Sequence, residues 1–232
     1  TLLQPFRPAG MGQPINRLRC LQLRGGAFVE EEKKRGLCVE TGRWLETYGL
    51  PHEDAHNLSV VFPRDLPHSV VVGAGGWGGV CGECGSFQGR LSEEGQHVEN
   101  EFLVEDLWLQ RQPVLQWDKE WGKCCLVMLD PDAPKPRSPD LGGTSSGSLG
   151  PWLHWLVGDA VGAPEEGKTL VEHMGPAPPA GRHRYIFCLF RQTDEHPLVV
   201  ASRERTKWDF SAFLSDNPNL ELVASNFYSV TA

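Results

Sequence analysis

The sequence lacks any long hydrophobic run: no stretch reaches the roughly 18 consecutive apolar residues that a membrane-spanning helix requires. Apolar residues make up 40% and charged residues 22% of the 232 residues. That balance is typical of a chain that folds around its own core. We therefore expect a soluble protein with one sizeable hydrophobic core and no transmembrane segment.

Acidic residues are missing from the start of the chain. The first is Glu30, and the only charged residues before it are Arg7, Arg17, Arg19 and Arg24. The whole chain carries a net charge of −8, so a cationic leader precedes an acidic body. Residues 1–27 contain Pro and Gly and show no periodicity, which predicts an extended arm that becomes ordered only against a partner.

Cysteine occurs seven times, and the pattern favours neither a disulfide framework nor a metal site. Cys124, Cys125 and Cys188 lie inside apolar runs, where thiols act as small hydrophobic groups, and this favours a reducing compartment. Cys81 and Cys84 form a lone Cys-x-x-Cys, whereas structural zinc requires four ligands, and His68 or His97 would join only by chance of folding. The sequence therefore predicts no metal and no cofactor.

A β-rich domain is predicted from residue 58 to 232, because short apolar runs there are separated by Gly and Pro. In the run 184–190, alternate residues are apolar on both faces, which is typical of a strand buried on two sides. The two faces are Tyr185, Phe187 and Leu189 on one side and Ile186, Cys188 and Phe190 on the other. Gly-rich patches at 73–85 and 142–150 are predicted to be loops.

Two helices are expected around this domain. The spacing of apolar residues from Phe28 to Tyr48, ended by Gly49, predicts a helix, so residues 28–57 are interpreted as an N-terminal helix and linker. The run "TKWDFSAFLSD" predicts a second helix with a capping box formed by Thr206 and Asp209. Its buried side would consist of Trp208, Phe213 and Leu214.

The run "LVMLDPDAPKP" changes from apolar to acidic without a spacer. Because residues i and i+2 of an extended chain project the same way, Asp130 and Asp132 are predicted to face a common space, with the prolines restricting the backbone. His154 lies in "WLHWLV", where a buried ring needs a hydrogen-bond partner, and a carboxylate of this segment is the expected one. His183 follows the Pro-rich loop "GPAPPAG".

Three motifs in this order, "LVMLDPDAP", "WLHWLV" and "GPAPPAGRHRYIFCLFRQ", resemble the phosphatidylethanolamine-binding protein (PEBP) family over residues 113–228. The resemblance implies a mainly β fold in which a large central antiparallel sheet packs on a smaller sheet, with few peripheral helices. It also implies a small anion pocket, lined by Asp130, Asp132, His154, Gly175, Pro178, His183 and Tyr185. A Gly/Ser-rich insertion between Pro134 and Trp152 departs from the family pattern.

A second resemblance concerns the segment before the domain. Residues 43–72, "RWLETYGLPHEDAHNLSVVFPRDLPHSVVV", are similar to the lead-in of PEBP-like proteins in the large subunit of the mitochondrial ribosome. This implies a non-catalytic structural component whose partners are large-subunit proteins, with rRNA as a further candidate. The arm residues Arg7, Arg17, Arg19 and Arg24 would make those contacts, since cations without nearby acids suit phosphate. Together with a chain that begins at Thr1, it predicts the mitochondrial matrix, with the cytoplasm as the alternative.

The sequence also fits other functions. The alternative to a ribosomal component is a free phosphatidylethanolamine-binding-type protein that binds phospholipid head groups or phosphorylated partners and modulates signalling. A hydrolase would use an Asp of the acidic segment and a His as acid and base, but no Ser or Cys stands in a nucleophile motif. We therefore expect no enzymatic activity. The polar residues could also form a cluster that only specifies the fold.

Overall fold

The structure is a computed structural model that describes residues 41–50, 56–62, 70–72, 90–91, 97–99, 101–134, 149–194 and 196–232. The predicted arm, the first part of the predicted helix, Cys81 and Cys84 lie outside these ranges. So do the Gly-rich patch 73–85 and most of the patch 142–150.

The described strands form two sheets. The larger sheet has seven strands in the order β1-β12-β11-β8-β9-β10, with β6 also beside β12, and the smaller has the order β4-β5-β3-β2-β7. The strands are β1 His56–Asn57, β2 Ser59–Phe62, β3 Val70–Val72, β4 Arg90–Leu91, β5 His97–Glu99, β6 Glu101–Leu103, β7 Val114–Gln116, β8 Cys124–Asp130, β9 Trp152–Ala160, β10 Lys168–Val171, β11 Arg182–Gln192 and β12 Leu220–Thr231. This confirms the expected mainly β fold with a large sheet and a smaller one.

The large sheet is antiparallel through its centre, where β8, β9, β11 and β12 pair, while β1 and β6 run parallel to β12. Pairing in this sheet thus begins at His56, two residues before the expected start of the domain at 58. The boundaries of the arm, linker and domain stay a prediction.

The strand β11 is buried on both faces, as its sequence predicts. Tyr185, Phe187 and Leu189 belong to the core between the two sheets, which also contains Val60 and Phe62 of β2. The residues that alternate with them belong to a second core on the other face of the large sheet, namely Ile186, Cys188 and Phe190. The large sheet therefore separates two hydrophobic cores, and its central strands consist almost entirely of apolar residues.

In the described ranges the second core is covered by two helices, α1, which is described over 41–46, and α2 Phe210–Asp216. Trp44 of α1 stacks on Phe210 of α2 with ring centroids 5.9 Å apart. A turn follows α1 and contains Gly49 with φ of 70°, a left-handed conformation that glycine adopts at low cost, which confirms the predicted end of the helix.

The second helix begins later than predicted. Asp209 is its N-cap, because the Asp209 side chain accepts a hydrogen bond of 2.8 Å from the Ala212 backbone N–H. The predicted capping box of Thr206 and Asp209 is therefore wrong, since Asp209 caps the helix instead of occupying its third position. Phe213 is buried as expected, Trp208 is buried before the helix starts, and Leu214 is only partly buried.

Three free cysteines, Cys124, Cys125 and Cys188, are completely buried in strands. Burial raises the pKa of the Cys188 thiol to about 12, so it behaves as a small hydrophobic group, as expected. Within the described ranges, no group of three or more His, Cys, Asp or Glu side chains is arranged to hold a metal ion. None of the helices in these ranges combines the length and apolar character that a membrane crossing requires.

Candidate functional site

The site begins where β8 ends, at Asp130. One carboxylate oxygen, Oδ1, accepts a hydrogen bond of 2.7 Å from the backbone N–H of Asp132, so the turn that follows the strand orients the side chain. The other oxygen, Oδ2, lies 2.8 Å from Nδ1 of His183. Both groups are buried, with His183 wholly inaccessible and Asp130 only 3% exposed.

Asp132 has a different partner, Arg184. The guanidinium donates from Nε to Oδ2 at 2.8 Å and from Nη2 to Oδ1 at 2.7 Å, and the Arg184 backbone N–H also donates to Oδ2. His183 and Arg184 are consecutive in β11, so their side chains project to opposite sides of the strand. The prediction that Asp130 and Asp132 face a common space is therefore wrong. The alternation rule ends with the strand at Asp130, and Asp132 lies in the turn.

His154 of β9 does not bond to a carboxylate, which corrects a second expectation. Its Nδ1 lies 2.7 Å from the backbone carbonyl oxygen of Met174, in the segment that follows β10. The register explains this, because Asp130 is opposite Trp152, two residues before His154 in β9. His154 therefore lies farther along the strand, where it meets the segment after β10.

A cavity of about 230 Å³ lies between these groups. Its lining residues are Asp130, Ala133, Pro134, Leu149, Trp152, His154, Met174, Ala177, Pro179, His183 and Tyr185. The rings of His154 and Tyr185 meet edge to face with centroids 5.0 Å apart. The structure thus brings together four of the seven predicted pocket residues, Asp130, His154, His183 and Tyr185, and these come from three strands of the large sheet.

The other three predicted pocket residues, Asp132, Gly175 and Pro178, do not line this cavity. Gly175 is packed so closely that a Cβ there would lie 2.5 Å from the Cα of Gln110. The Gln110 side chain also donates to the backbone carbonyl of Pro176. Gly175 and Pro178 are buried in the segment that carries Met174, Ala177 and Pro179 to the cavity, so their contribution is to position it.

Two contributors were missed by the sequence reasoning. Trp152 lines the cavity, and its position two residues before His154 in a strand was the signal that could have found it. Arg205 lies behind the site and donates from Nη1 to the carbonyl of His154 and from Nη2 to that of Glu172. It holds β9 to the segment after β10, and no local pattern in the sequence indicates that contact.

The two histidines of the cavity are in different electrostatic environments. Burial lowers the pKa of His154 to about 4, and the nearby His173, Arg205 and His183 act in the same direction. Burial also lowers the pKa of His183, but the hydrogen bond to Asp130 and its negative charge outweigh burial and leave that pKa above its ordinary value. At neutral pH His154 is therefore a neutral ring, whereas the Asp130 carboxylate favours a protonated His183.

Several hydrogen-bonding atoms around the cavity are buried and make no hydrogen bond of regular geometry among the described residues. They are Nε2 of His183, the hydroxyl of Tyr185 and Nε1 of Trp152. The backbones of Ala180 and Ala177 nevertheless lie close enough to shift the pKa values of His183 and Tyr185. Burial raises the pKa of Tyr185, so its hydroxyl keeps the proton. The described lining contains neither Lys nor Arg, so a bound anion would be held by hydrogen-bond donors and by His183. The four arginines of the predicted arm lie outside the described residues.

Comparison with known proteins places this site in a family. Residues 93–228 match the family model "Phosphatidylethanolamine-binding protein". Protein FLOWERING LOCUS T of Arabidopsis thaliana is 44% identical over 107 residues, which cover 45% of this chain and 55% of that protein. Protein BROTHER of FT and TFL 1 of the same plant is 36% identical over 92 residues, 39% of this chain and 48% of that protein. The chain thus spans about half the length of these curated relatives.

Among solved structures, a phosphatidylethanolamine-binding protein from Plasmodium vivax aligns with 53% of this chain and 73% of its own, at 20% identity and a TM-score of 0.38. The family model covers more than half of the 232 residues and includes Asp130, His154, His183 and Tyr185. This chain belongs to the phosphatidylethanolamine-binding protein family.

Proposed function

We propose that this protein binds the phosphate group of a small molecule or of a phosphorylated partner in the cavity between β8, β9 and β11, and that it modulates signalling through this binding. The observation that carries the proposal is the arrangement at His183. The ring is wholly buried and its Nδ1 is held by Asp130 at 2.8 Å. Its Nε2 makes no hydrogen bond of regular geometry among the described residues, although the backbone of Ala180 lies close enough to raise the pKa of the ring, and His183 lines a cavity.

Binding an anion would lower the free energy of this arrangement, because the anion would accept hydrogen bonds from the buried donors. A buried donor without an acceptor costs about 1–3 kcal/mol, and a ligand oxygen would remove that cost. The Tyr185 hydroxyl and Trp152 Nε1 add two further donors for the several oxygens of one phosphate group. The apolar side chains that complete the lining would exclude water and strengthen these hydrogen bonds.

Calorimetric titration with O-phosphorylethanolamine tests this proposal. We expect saturable binding to the full chain, and we expect His183→Gln to weaken it by at least tenfold because the charged donor is lost. His154→Ala should also abolish or strongly weaken binding by opening the cavity wall.

The matched control is His196→Gln, because His196 also pairs with an aspartate at 2.8 Å but its side chain is 83% exposed and does not line the cavity. This variant should bind as the parent does. If His183→Gln and His196→Gln gave the same isotherm as the parent, the cavity would not be the binding site. Absence of any binding by the parent chain would reject the function.

A second candidate function is a non-catalytic structural role in the large subunit of the mitochondrial ribosome, in the mitochondrial matrix. The resemblance of residues 43–72 supports it, and so does the packing of α1, which overlaps the start of that segment. Trp44 and Leu45 are buried in the second core, so the part of the lead-in that α1 forms packs against the domain. Its partners would be large-subunit proteins, with rRNA as a further candidate, contacted through Arg7, Arg17, Arg19 and Arg24.

Sedimentation of the endogenous protein separates the two candidates. A ribosomal component should travel with large-subunit RNA and leave it only after EDTA or high salt. Replacing the four arm arginines by Ala should release it at lower salt, because each lost cation removes one phosphate contact. A protein found entirely in the low-mass fraction would contradict the ribosomal role and leave the binding function as the candidate.

A further inference from the structure

We propose that the cavity selects a phosphate group that still carries a proton, such as hydrogen phosphate or a phosphomonoester, over oxyanions of similar shape that have no proton to donate. This inference rests on the proposed anion-binding function and adds the chemical class of the ligand. The inference follows from Nε2 of His154, which is a hydrogen-bond acceptor in a cavity wall whose other polar groups are mostly donors.

The tautomer of His154 follows from its partner. The Met174 carbonyl oxygen, 2.7 Å from Nδ1, can only accept a hydrogen bond, so Nδ1 must carry the hydrogen. In a neutral ring the other nitrogen then has a lone pair and no hydrogen. Nε2 is therefore a hydrogen-bond acceptor, and His154 is one of the residues that line the cavity.

The surroundings of His154 keep the ring neutral. It is only 4% exposed, and Arg205 from the loop before α2, His173 from the segment after β10 and His183 from β11 all disfavour a second positive charge. The low pKa of about 4 agrees with this geometry. Near neutral pH, Nε2 of His154 can therefore accept a hydrogen bond from a ligand that still carries a proton.

The other polar groups named in the wall act as hydrogen-bond donors. His183, held by Asp130, carries Nε2–H when protonated, and Tyr185 and Trp152 carry buried O–H and N–H groups that make no hydrogen bond of regular geometry among the described residues. A ligand that fits both sets needs bare oxygens and one hydroxyl. Hydrogen phosphate and phosphomonoester monoanions have both, whereas sulfate and phosphodiesters have only acceptors at neutral pH, and would place an oxygen lone pair against that of His154.

Calorimetry at pH 6.5 with four probes tests the selection: inorganic phosphate, sulfate, O-phosphorylethanolamine and glycerophosphoethanolamine. The second pKa of a phosphomonoester is about 6, so a sizeable fraction carries the proton at this pH. We expect inorganic phosphate to bind at least tenfold more tightly than sulfate. The monoester should exceed the diester by a similar factor, which separates a phosphomonoester source from an intact diester head group.

The variant His154→Phe keeps a ring of similar size and removes the acceptor, so the ratio of phosphate to sulfate affinity should fall toward one. His196→Phe is the matched control, because the His196 side chain is 83% exposed and does not line the cavity, and the ratio should stay that of the parent. If His154→Phe fails to fold, ¹⁵N chemical shifts of the parent provide the test: His154 Nε2 should be unprotonated before binding and shift with phosphate.

The outcomes separate this inference from the function on which it rests. Equal affinity for phosphate and sulfate would overturn proton selection while leaving anion binding intact. A diester that binds as tightly as the monoester would do the same. The role of His154 would be overturned if His154→Phe kept the parent's ratio of phosphate to sulfate affinity. It would also be overturned if the ¹⁵N spectrum showed a protonated Nε2. Binding of none of the four probes would reject the anion-binding function itself.

Discussion

The two histidines of the cavity show how a single partner decides the chemistry of a residue. His154 faces a backbone carbonyl, which carries no charge to offset burial, and its pKa falls to about 4. His183 faces the Asp130 carboxylate, which offsets burial and raises its pKa. Both rings are buried, and the residues beside each ring in the sequence do not reveal which partner it takes in the fold.

Protonation of His154 should destabilise the fold in acid. Its folded-state pKa of about 4 lies below the ordinary 6.5, so between these values the unfolded chain binds a proton that the folded chain does not. This stability is present above pH 6.5 and is lost as the pH falls toward 4, by up to about 3 kcal/mol. His183, with a raised pKa, has the opposite sign and loses its contribution as the pH rises through its folded value.

Urea unfolding of the parent and of His154→Phe at pH 7 and pH 4.5 measures this effect. The loss of unfolding free energy between the two pH values should be smaller in the variant, because the titrating group has been removed. His196→Gln replaces an exposed histidine and should keep the loss seen in the parent. Equal losses in the parent and His154→Phe would show that His154 does not titrate as proposed.

The buried pair of Asp132 and Arg184 should be sensitive to removal of one partner. The two side chains are 8% and 5% exposed, so Asp132→Ala would leave a buried guanidinium without its carboxylate. We expect a loss of about 3–5 kcal/mol in urea unfolding. The control is Glu221→Ala, which breaks a solvent-exposed pair with Arg191 between β11 and β12 and should cost less than about 1 kcal/mol. Similar losses in both variants would contradict this interpretation.

The segment after β10 is the element that completes the cavity, although it contains no regular secondary structure. Its backbone supplies the Met174 carbonyl to His154, and Arg205 ties Glu172 in the same segment to β9. Gly175 allows the approach to Gln110 that fixes its position. The glycine of the motif therefore acts through packing and does not line the cavity.

Gly175→Ala tests this role. Its Cβ would lie 2.5 Å from the Cα of Gln110, which is backbone and has little freedom to move, so we expect a loss of about 1–3 kcal/mol in stability. The shifted segment would also withdraw the Met174 carbonyl from His154, so affinity for O-phosphorylethanolamine should fall. Both quantities are measured by urea unfolding and calorimetry.

Gly167→Ala is the control for this prediction. A Cβ at Gly167 would lie 2.6 Å from the Cβ of Ala160, at the end of β9 remote from His154. It should therefore lose stability by a similar amount and keep its anion affinity. If both glycine variants bound the anion as well as the parent does, the segment would not depend on Gly175 for its position.

The start of α2 offers a test at the level of one helix. Asp209→Ala removes the acceptor for the Ala212 N–H and should cost about 1 kcal/mol. Thr206→Ala should stay within about 0.5 kcal/mol, because Thr206 lies outside the helix that Asp209 caps. Thermal unfolding of the two variants decides between this cap and the predicted capping box, which would make Thr206→Ala the costly change.

In the described part of the molecule, the large sheet separates two hydrophobic cores. The helix α1 packs on the second core, which lies on the face of the large sheet away from the smaller sheet. Trp44 is 1% exposed and stacks on Phe210. Trp44→Ala should cost about 3–5 kcal/mol in urea unfolding, because a cavity would open in that core. Arg43→Ala, at an exposed neighbouring position, should change stability by less than about 0.5 kcal/mol. A small effect of Trp44→Ala would mean that α1 contributes little to the folded domain.

The sequence by itself determined the β class of the domain, the two buried faces of β11, the turn at Gly49 that follows α1 and the motif residues that meet at the cavity. These features depend on local alternation, on glycine conformation and on motifs that the family shares, all of which are present in short stretches of chain.

The tertiary structure alone decided which carboxylate binds which partner. Asp130 bonds to His183 and Asp132 to Arg184, while His154 takes the Met174 carbonyl, because strand register and the turn after β8 set those distances. Hydrogen bonds between residues 20 to 53 positions apart depend on how the strands and loops pack, and local sequence patterns do not encode that packing.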